Sequence, residues 1–202
     1  MPWMPDMMSG PTSIEFLRYA GWAAYLSAAA TITTFVTAIV FFRKGQPFGT
    51  VNDASSVFQM LFMVPIVVAF HQLMGPRAAI LSLLGAAIGV IGMLVGASLQ
   101  ALLVFGRVKY EQTIGMVLTA GGAIGVWLVL TGCLALASGI LPNGLALLGL
   151  VAGGGYILSV VGFRVGGERN ALFWIGSLAT VIGYSGWALW LGRVLSSGAL
   201  TV

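Results

Sequence analysis

The longest stretches of this sequence without a charged residue decide what it can become. Uncharged runs extend over Tyr19–Phe42 (24 residues), Ala54–Pro76 (23), Ala78–Gly106 (29), Gln112–Phe163 (52) and Asn170–Gly192 (23). About 20 apolar residues in a helix cross the hydrocarbon of a bilayer. Four runs therefore predict one crossing each. The 52-residue run is too long for one crossing and predicts two, joined by the turn residues Leu141-Pro142-Asn143-Gly144. The expectation is an all-α polytopic membrane protein, a bundle of six transmembrane helices. A transmembrane β-barrel would instead show short alternating segments.

Composition agrees. Charged residues are 7% of the chain, against roughly 25% in an ordinary soluble domain. Too little charge is available to cover a water-exposed sphere. The net charge of +4 comes from cations scattered between apolar runs. That pattern excludes a nucleic-acid surface and suits membrane orientation instead. The loops after the first, third and fifth helices hold Arg43, Lys44, Arg107, Lys109, Arg164 and Arg169, and the opposite side holds Arg18, Arg77 and Arg193. The bias predicts both termini on the non-cytoplasmic side of a bacterial inner membrane.

The expected organisation is an irregular interfacial tail over 1–13, one transmembrane domain over 14–193, and a short tail over 194–202. Met1–Ser13 lacks the basic start of a signal peptide, and its three prolines oppose a helix. Each basic loop follows a phenylalanine, at Phe42, Phe105 and Phe163. This spacing fits a repeat of three helical hairpins, and it equally fits helix ends that each meet an aromatic and then a base.

Helices in lipid lack a hydrophobic force between them, so close backbone approach takes its place. Gly85, Gly89, Gly92 and Gly96 share one face of the third helix. The second helix has no glycine before Gly75, and Pro65 predicts a kink near its middle.

Intramembrane ionisable residues usually mark function. His71 is the one His, Asp, Glu, Lys or Arg expected inside a span. Proton relays, paired-carboxylate catalysis and zinc sites are thereby disfavoured. Asp53, Ser56, Met60, Met63, Val67, His71 and Met74 fall in one sector of the second helix, with Gln59 beside it. Methionine and histidine suit Cu(I), yet methionine also fills irregular gaps, and no cofactor or metal is expected. Asn52 or Asp53 is expected to cap this helix, and the preceding loop with Arg43 and Lys44 could meet lipid phosphates. Cys133 lies inside an apolar run and reads as a small buried residue. Tyr184, Trp187 and Trp190 read as anchors at the membrane interface.

Two resemblances bear on function. Gly183-Tyr184-Ser185-Gly186 resembles the G-x-S-G nucleophile motif of rhomboid intramembrane proteases, which would make Ser185 the nucleophile and His71 its base. In that family the motif is on the fourth helix and the histidine on the sixth, whereas here they fall on the sixth and second. The segment Gly45-x-Pro47-Phe48-Gly49-Thr50-x-Asn52-Asp53, with a helix ending Ala69-Phe70-His71, resembles uncharacterised bacterial six-helix membrane families of unknown function. That resemblance implies no activity. The sequence points to a non-enzymatic accessory subunit or homo-oligomer in the lipid bilayer. The alternative is a transporter or channel for a neutral or hydrophobic small molecule or lipid.

Overall fold

The computed structural model describes residues 11–198, and the N-terminal tail with its methionines lies outside these apart from Pro11, Thr12 and Ser13. The described chain is all-α. It forms α1 (Pro11–Lys44), α2 (Phe48–Val104), α3 (Tyr110–Ser138), α4 (Asn143–Gly166) and α5 (Ala171–Ser196), with a short 3-10 turn over Gly167–Arg169. All five are long and apolar enough to cross a membrane.

Five helices stand where the uncharged runs predict six, because the second and third runs join in α2. Only Ala78, at φ −150° and ψ 59°, leaves helical geometry inside its 57 residues. The break follows Pro76, which lacks the amide hydrogen that a continuing helix needs. It also reverses the chain. Thirty-six residues of straight helix separate their ends by about 54 Å. Yet a Cβ built on Gly96 would stand 2.7 Å from Met60 Sδ. The arm before Ala78 therefore lies against the arm after it. Backbone dihedrals stay helical through Pro65.

The other joints follow the turn chemistry of the sequence. Gly139 closes α3 in the left-handed region at φ 65°, and its amide donates to the Ala135 carbonyl. The 52-residue run thus divides at the expected turn. Asn170 caps α5, its side chain accepting from the Leu172 amide at 2.9 Å. The start of α2 differs from expectation. The helix already begins at Phe48, so Asn52 and Asp53 lie in its second turn, too late to cap it. Gln46 takes that role, its side-chain oxygen accepting from the Thr50 amide at 3.2 Å.

The helices close a ring: α1 packs on α2 and α5, α2 on α3, α3 on α4, and α4 on α5. Large apolar side chains cover the outside, with Ile80, Ile182 and Phe105 among the most exposed. Cys133 is also exposed, on the outward side of α3, which corrects its expected burial. In a membrane that face meets lipid, where a small apolar thiol is as well accommodated as in a core. The interior holds Met63, Ile66, Val67, Phe70, Trp127, Tyr184 and Trp187, all nearly inaccessible.

Candidate functional site

Two buried clusters meet in the middle of the ring, one of hydroxyls and amides and one of aromatic rings. The polar cluster joins four helices. Ser27 on α1 donates to the backbone carbonyl of Gln59 on α2 at 3.1 Å. A hydroxyl has a single hydrogen. Tyr184 on α5 must therefore donate in the 2.6 Å bond between its hydroxyl and Ser27 Oγ. The Gln59 side-chain amide in turn donates to the Tyr156 hydroxyl of α4 at 3.0 Å. Ser27, Gln59 and Tyr184 are all buried.

A polar seam between α1 and α2 leads from this cluster toward the basic loops. Asn52 Nδ2 donates to the Thr34 carbonyl at 2.7 Å, and Ser56 Oγ donates to the Asn52 carbonyl at 3.0 Å. Asp53 is half-buried at the end of the seam. In hydrocarbon an unpaired polar group is costly, so such a seam is stable only when its members satisfy one another.

The aromatic cluster stacks directly against the polar one. Trp187 lies 5.7 Å from Tyr184, 5.7 Å from Phe70 and 6.0 Å from Trp127, between ring centroids. Phe70 and Trp127 meet edge to face at 6.1 Å. This corrects the reading of Tyr184 and Trp187 as interfacial anchors. Both point inward, and only Trp190 of the three is exposed. A tyrosine or tryptophan prefers the interface when its polar tip has no other partner; here Tyr184 finds one in Ser27.

The remaining residues singled out in the sequence separate. Met60 and Met63 are buried packing groups. His71 Nδ1 lies 3.0 Å from Ser82 Oγ, so the histidine bridges the reversal in α2. Ser185 Oγ is buried without a hydrogen-bond partner. His71 is thus not paired with Ser185, and among the described residues no base is bonded to that hydroxyl. Among the described residues no three His, Cys, Asp or Glu side chains gather where a metal could be held.

Gly85, Gly89, Gly92 and Gly96 are all buried on the second arm of α2. At Gly92 an added Cβ would fall 2.8 Å from the Ala120 carbonyl oxygen of α3, and at Gly89 it would fall 2.8 Å from Trp127 Cγ.

Sequence reasoning missed Ser27 and Tyr156. Ser27, Thr31 and Thr34 had a usable signal, a helical spacing of four and three on one face of α1. Tyr156 had none, because its partner is 97 residues away.

The polar cluster makes a definite energetic prediction. In a double-mutant cycle, Ser27→Ala and Tyr184→Phe should couple by about 0.6 kcal/mol, the average for interhelical hydrogen bonds in membranes, and by no more than about 1.7 kcal/mol. Unfolding in mixed micelles of increasing dodecyl sulfate fraction measures it. Strictly additive effects would show that the 2.6 Å bond contributes nothing.

By helix length and composition this is a polytopic membrane protein. Compared with family models, curated proteins and solved structures, the chain matches none of them.

Proposed function

We propose that this chain is a non-enzymatic integral membrane protein with six crossings, acting as a subunit of a homo-oligomer or larger membrane complex. The observation that carries the reading is the content of its interior. The ring is filled by interlocked aromatic rings and by the hydrogen-bonded cluster of Ser27, Gln59, Tyr156 and Tyr184. A serine without a base and a histidine bonded to serine assemble no catalytic pair. The fold-back at Ala78 supports counting α2 as two crossings. Glycine-lined helix contacts, at Gly92 on α3 for example, support a tightly packed rigid unit.

With six crossings, the loops bearing Arg43, Lys44, Arg107, Lys109, Arg164 and Arg169 share one side. The Lys/Arg bias assigns that side to the cytoplasm of a bacterial inner membrane and both termini to the other. Consecutive helices pack as neighbours, which is compatible with three helical hairpins. The resemblance to uncharacterised bacterial six-helix families belongs to the same proposal.

A transporter or channel for a neutral or hydrophobic molecule is the second reading. The α1–α2 polar seam favours it, since it carries hydrogen-bonding groups inward from the basic loops.

Native mass spectrometry from lipid nanodiscs tests the first reading, with two or more copies, or a retained partner, expected. A strictly monomeric chain that exchanges small solutes across vesicles would overturn it in favour of the second. Single cysteines placed in a Cys133→Ala background test the topology. An impermeant maleimide should label Lys44→Cys and Arg77→Cys from opposite sides. Labelling of both from one side would remove the six-crossing count.

A further inference from the structure

The reversal in α2 leaves a cleft where its first arm meets the end of α3, with Met74 of the core in its lining. Met74, Arg77 and Ala78 of α2 line it together with Leu134, Ala137 and Ser138 of α3, and its volume is about 190 Å³. Its position follows from the backbone. Ala78 leaves helical geometry, so the first arm ends and the second begins beside the last turn of α3. Ser138 Oγ lies 3.7 Å from Met74 Sδ, and both residues belong to the lining.

The chemistry of the lining is uneven. Four members are apolar, one is a hydroxyl and one is a guanidinium. Arg77 is exposed, and it is the charge that separates two long apolar runs. If α2 makes two crossings, Arg77 stands where the chain turns at the membrane surface, at the level of lipid headgroups. The site rests on the six-crossing reading, which the maleimide labelling at position 77 tests separately. Just past the cleft, Ile80, Leu81, Leu83 and Leu84 present an exposed apolar face.

We propose that this cleft holds the phosphate of an anionic phospholipid, with the acyl chains lying along the face that starts at Ile80. A guanidinium offers a planar fork of donors suited to phosphate oxygens. Ser138 Oγ now donates within its own helix to the Ala135 carbonyl at 3.3 Å, so it reaches a phosphate as a second donor only when its hydroxyl turns out of that bond. Leu134 and Ala137 are apolar where the glycerol and upper chains would rest. A cleft of about 190 Å³ has room for a headgroup phosphate. A lipid fits better than free phosphate, because the apolar part of the lining and the adjoining face contribute nothing to binding an inorganic ion.

The full chain in mild detergent, titrated with phosphatidylglycerol or phosphatidylcholine and read by native mass spectrometry, tests this. The wild type should retain phosphatidylglycerol preferentially. Arg77→Gln should lower that retention by about fivefold, the size of one basic contact at an anionic surface. Ala137→Leu, which fills the cleft and keeps the charge, should lower it as well. Arg193→Gln, a charge removed on the same side but outside the cleft, should leave it unchanged. Equal loss in Arg77→Gln and Arg193→Gln would mean diffuse attraction and overturn the site. So would unchanged retention in Ala137→Leu. Displacement of the lipid by millimolar inorganic phosphate would assign the cleft to a free anion instead. Circular dichroism and size-exclusion profiles matching the wild type establish that the variants fold.

Discussion

Gly155→Val should leave little folded protein, while Gly154→Val should behave almost as the wild type. The two positions are adjacent on α4 and differ only in what they face. A Cβ at Gly155 would stand 2.6 Å from the Thr180 amide nitrogen and 2.8 Å from the Gly176 carbonyl oxygen, both in α5. The relation is mutual, since a Cβ at Gly176 would stand 2.7 Å from the Gly155 carbonyl oxygen. These obstacles are backbone atoms, which cannot rotate aside as a side chain can. The helices would have to separate, and every contact along their seam would lengthen with them. Overpacking typically costs about 1–3 kcal/mol where side chains can adjust, so ~3 kcal/mol or more is expected here. At Gly154 an added Cβ would meet no other described part of the chain within 4 Å beyond its own stretch of helix, and a surface change of this kind stays within about 0.5 kcal/mol. Unfolding in mixed micelles, with size-exclusion recovery as a second readout, measures both. Comparable loss at the two positions would reject backbone contact as the cause.

Trp127→Ala should be the most damaging truncation in the interior. Trp127 is fully buried and touches Phe70 and Trp187 edge to face. Phe or Trp to Ala in a soluble core costs about 3–5 kcal/mol. In a membrane part of that range does not apply, because lipid tails are as apolar as the core and transfer between them is nearly neutral. What remains is the cavity and the lost dispersion contacts, so the lower end, about 3 kcal/mol, is expected. Trp22, 63% exposed, is the control. Its truncation should cost well under 1 kcal/mol. A compensation test isolates the packing origin. Gly89 is the socket for the indole, a Cβ there falling 2.8 Å from Trp127 Cγ. Gly89→Ala should therefore destabilise the wild type and be tolerated in the Trp127→Ala background. If Gly89→Ala is equally harmful in both, the indole is not what the glycine makes room for.

These two cases divide what could be read in the chain from what could not. The uncharged runs located every helix, because the bilayer sets a length and an apolar chain must satisfy its backbone internally. The longest run does divide at Leu141-Pro142, since turn chemistry is local, but Asn143 and Gly144 already belong to α4 and the left-handed residue is Gly139. The Asn-Asp cap failed at a local level too: Gln46 lies nearer the helix start and offers an equivalent amide oxygen. The methionine stripe on α2 turned inward as its helical spacing implied, but spacing did not say that Met60 would meet Gly96. Tyr184 and Trp187 misled for a physical reason. An amphipathic ring serves a membrane interface or a buried polar cluster equally well, and only its partner decides. That partner, Ser27, is 157 residues from Tyr184.

The sequence by itself determined that this chain forms helices long and apolar enough to cross a membrane, which stretches of the chain they occupy, and that almost no charged group lies within those stretches. Those properties depend on hydropathy and turn residues, which act over one or two helical turns. Only the tertiary structure decided that α2 folds back on itself at Ala78, that four helices share one hydrogen-bonded cluster, and that aromatic rings fill the ring's centre. Each of these joins residues tens to more than a hundred positions apart. Lipid supplies no hydrophobic bias to say which helix faces meet. The outcome rests on the fit of side chains and backbones once the helices are brought together.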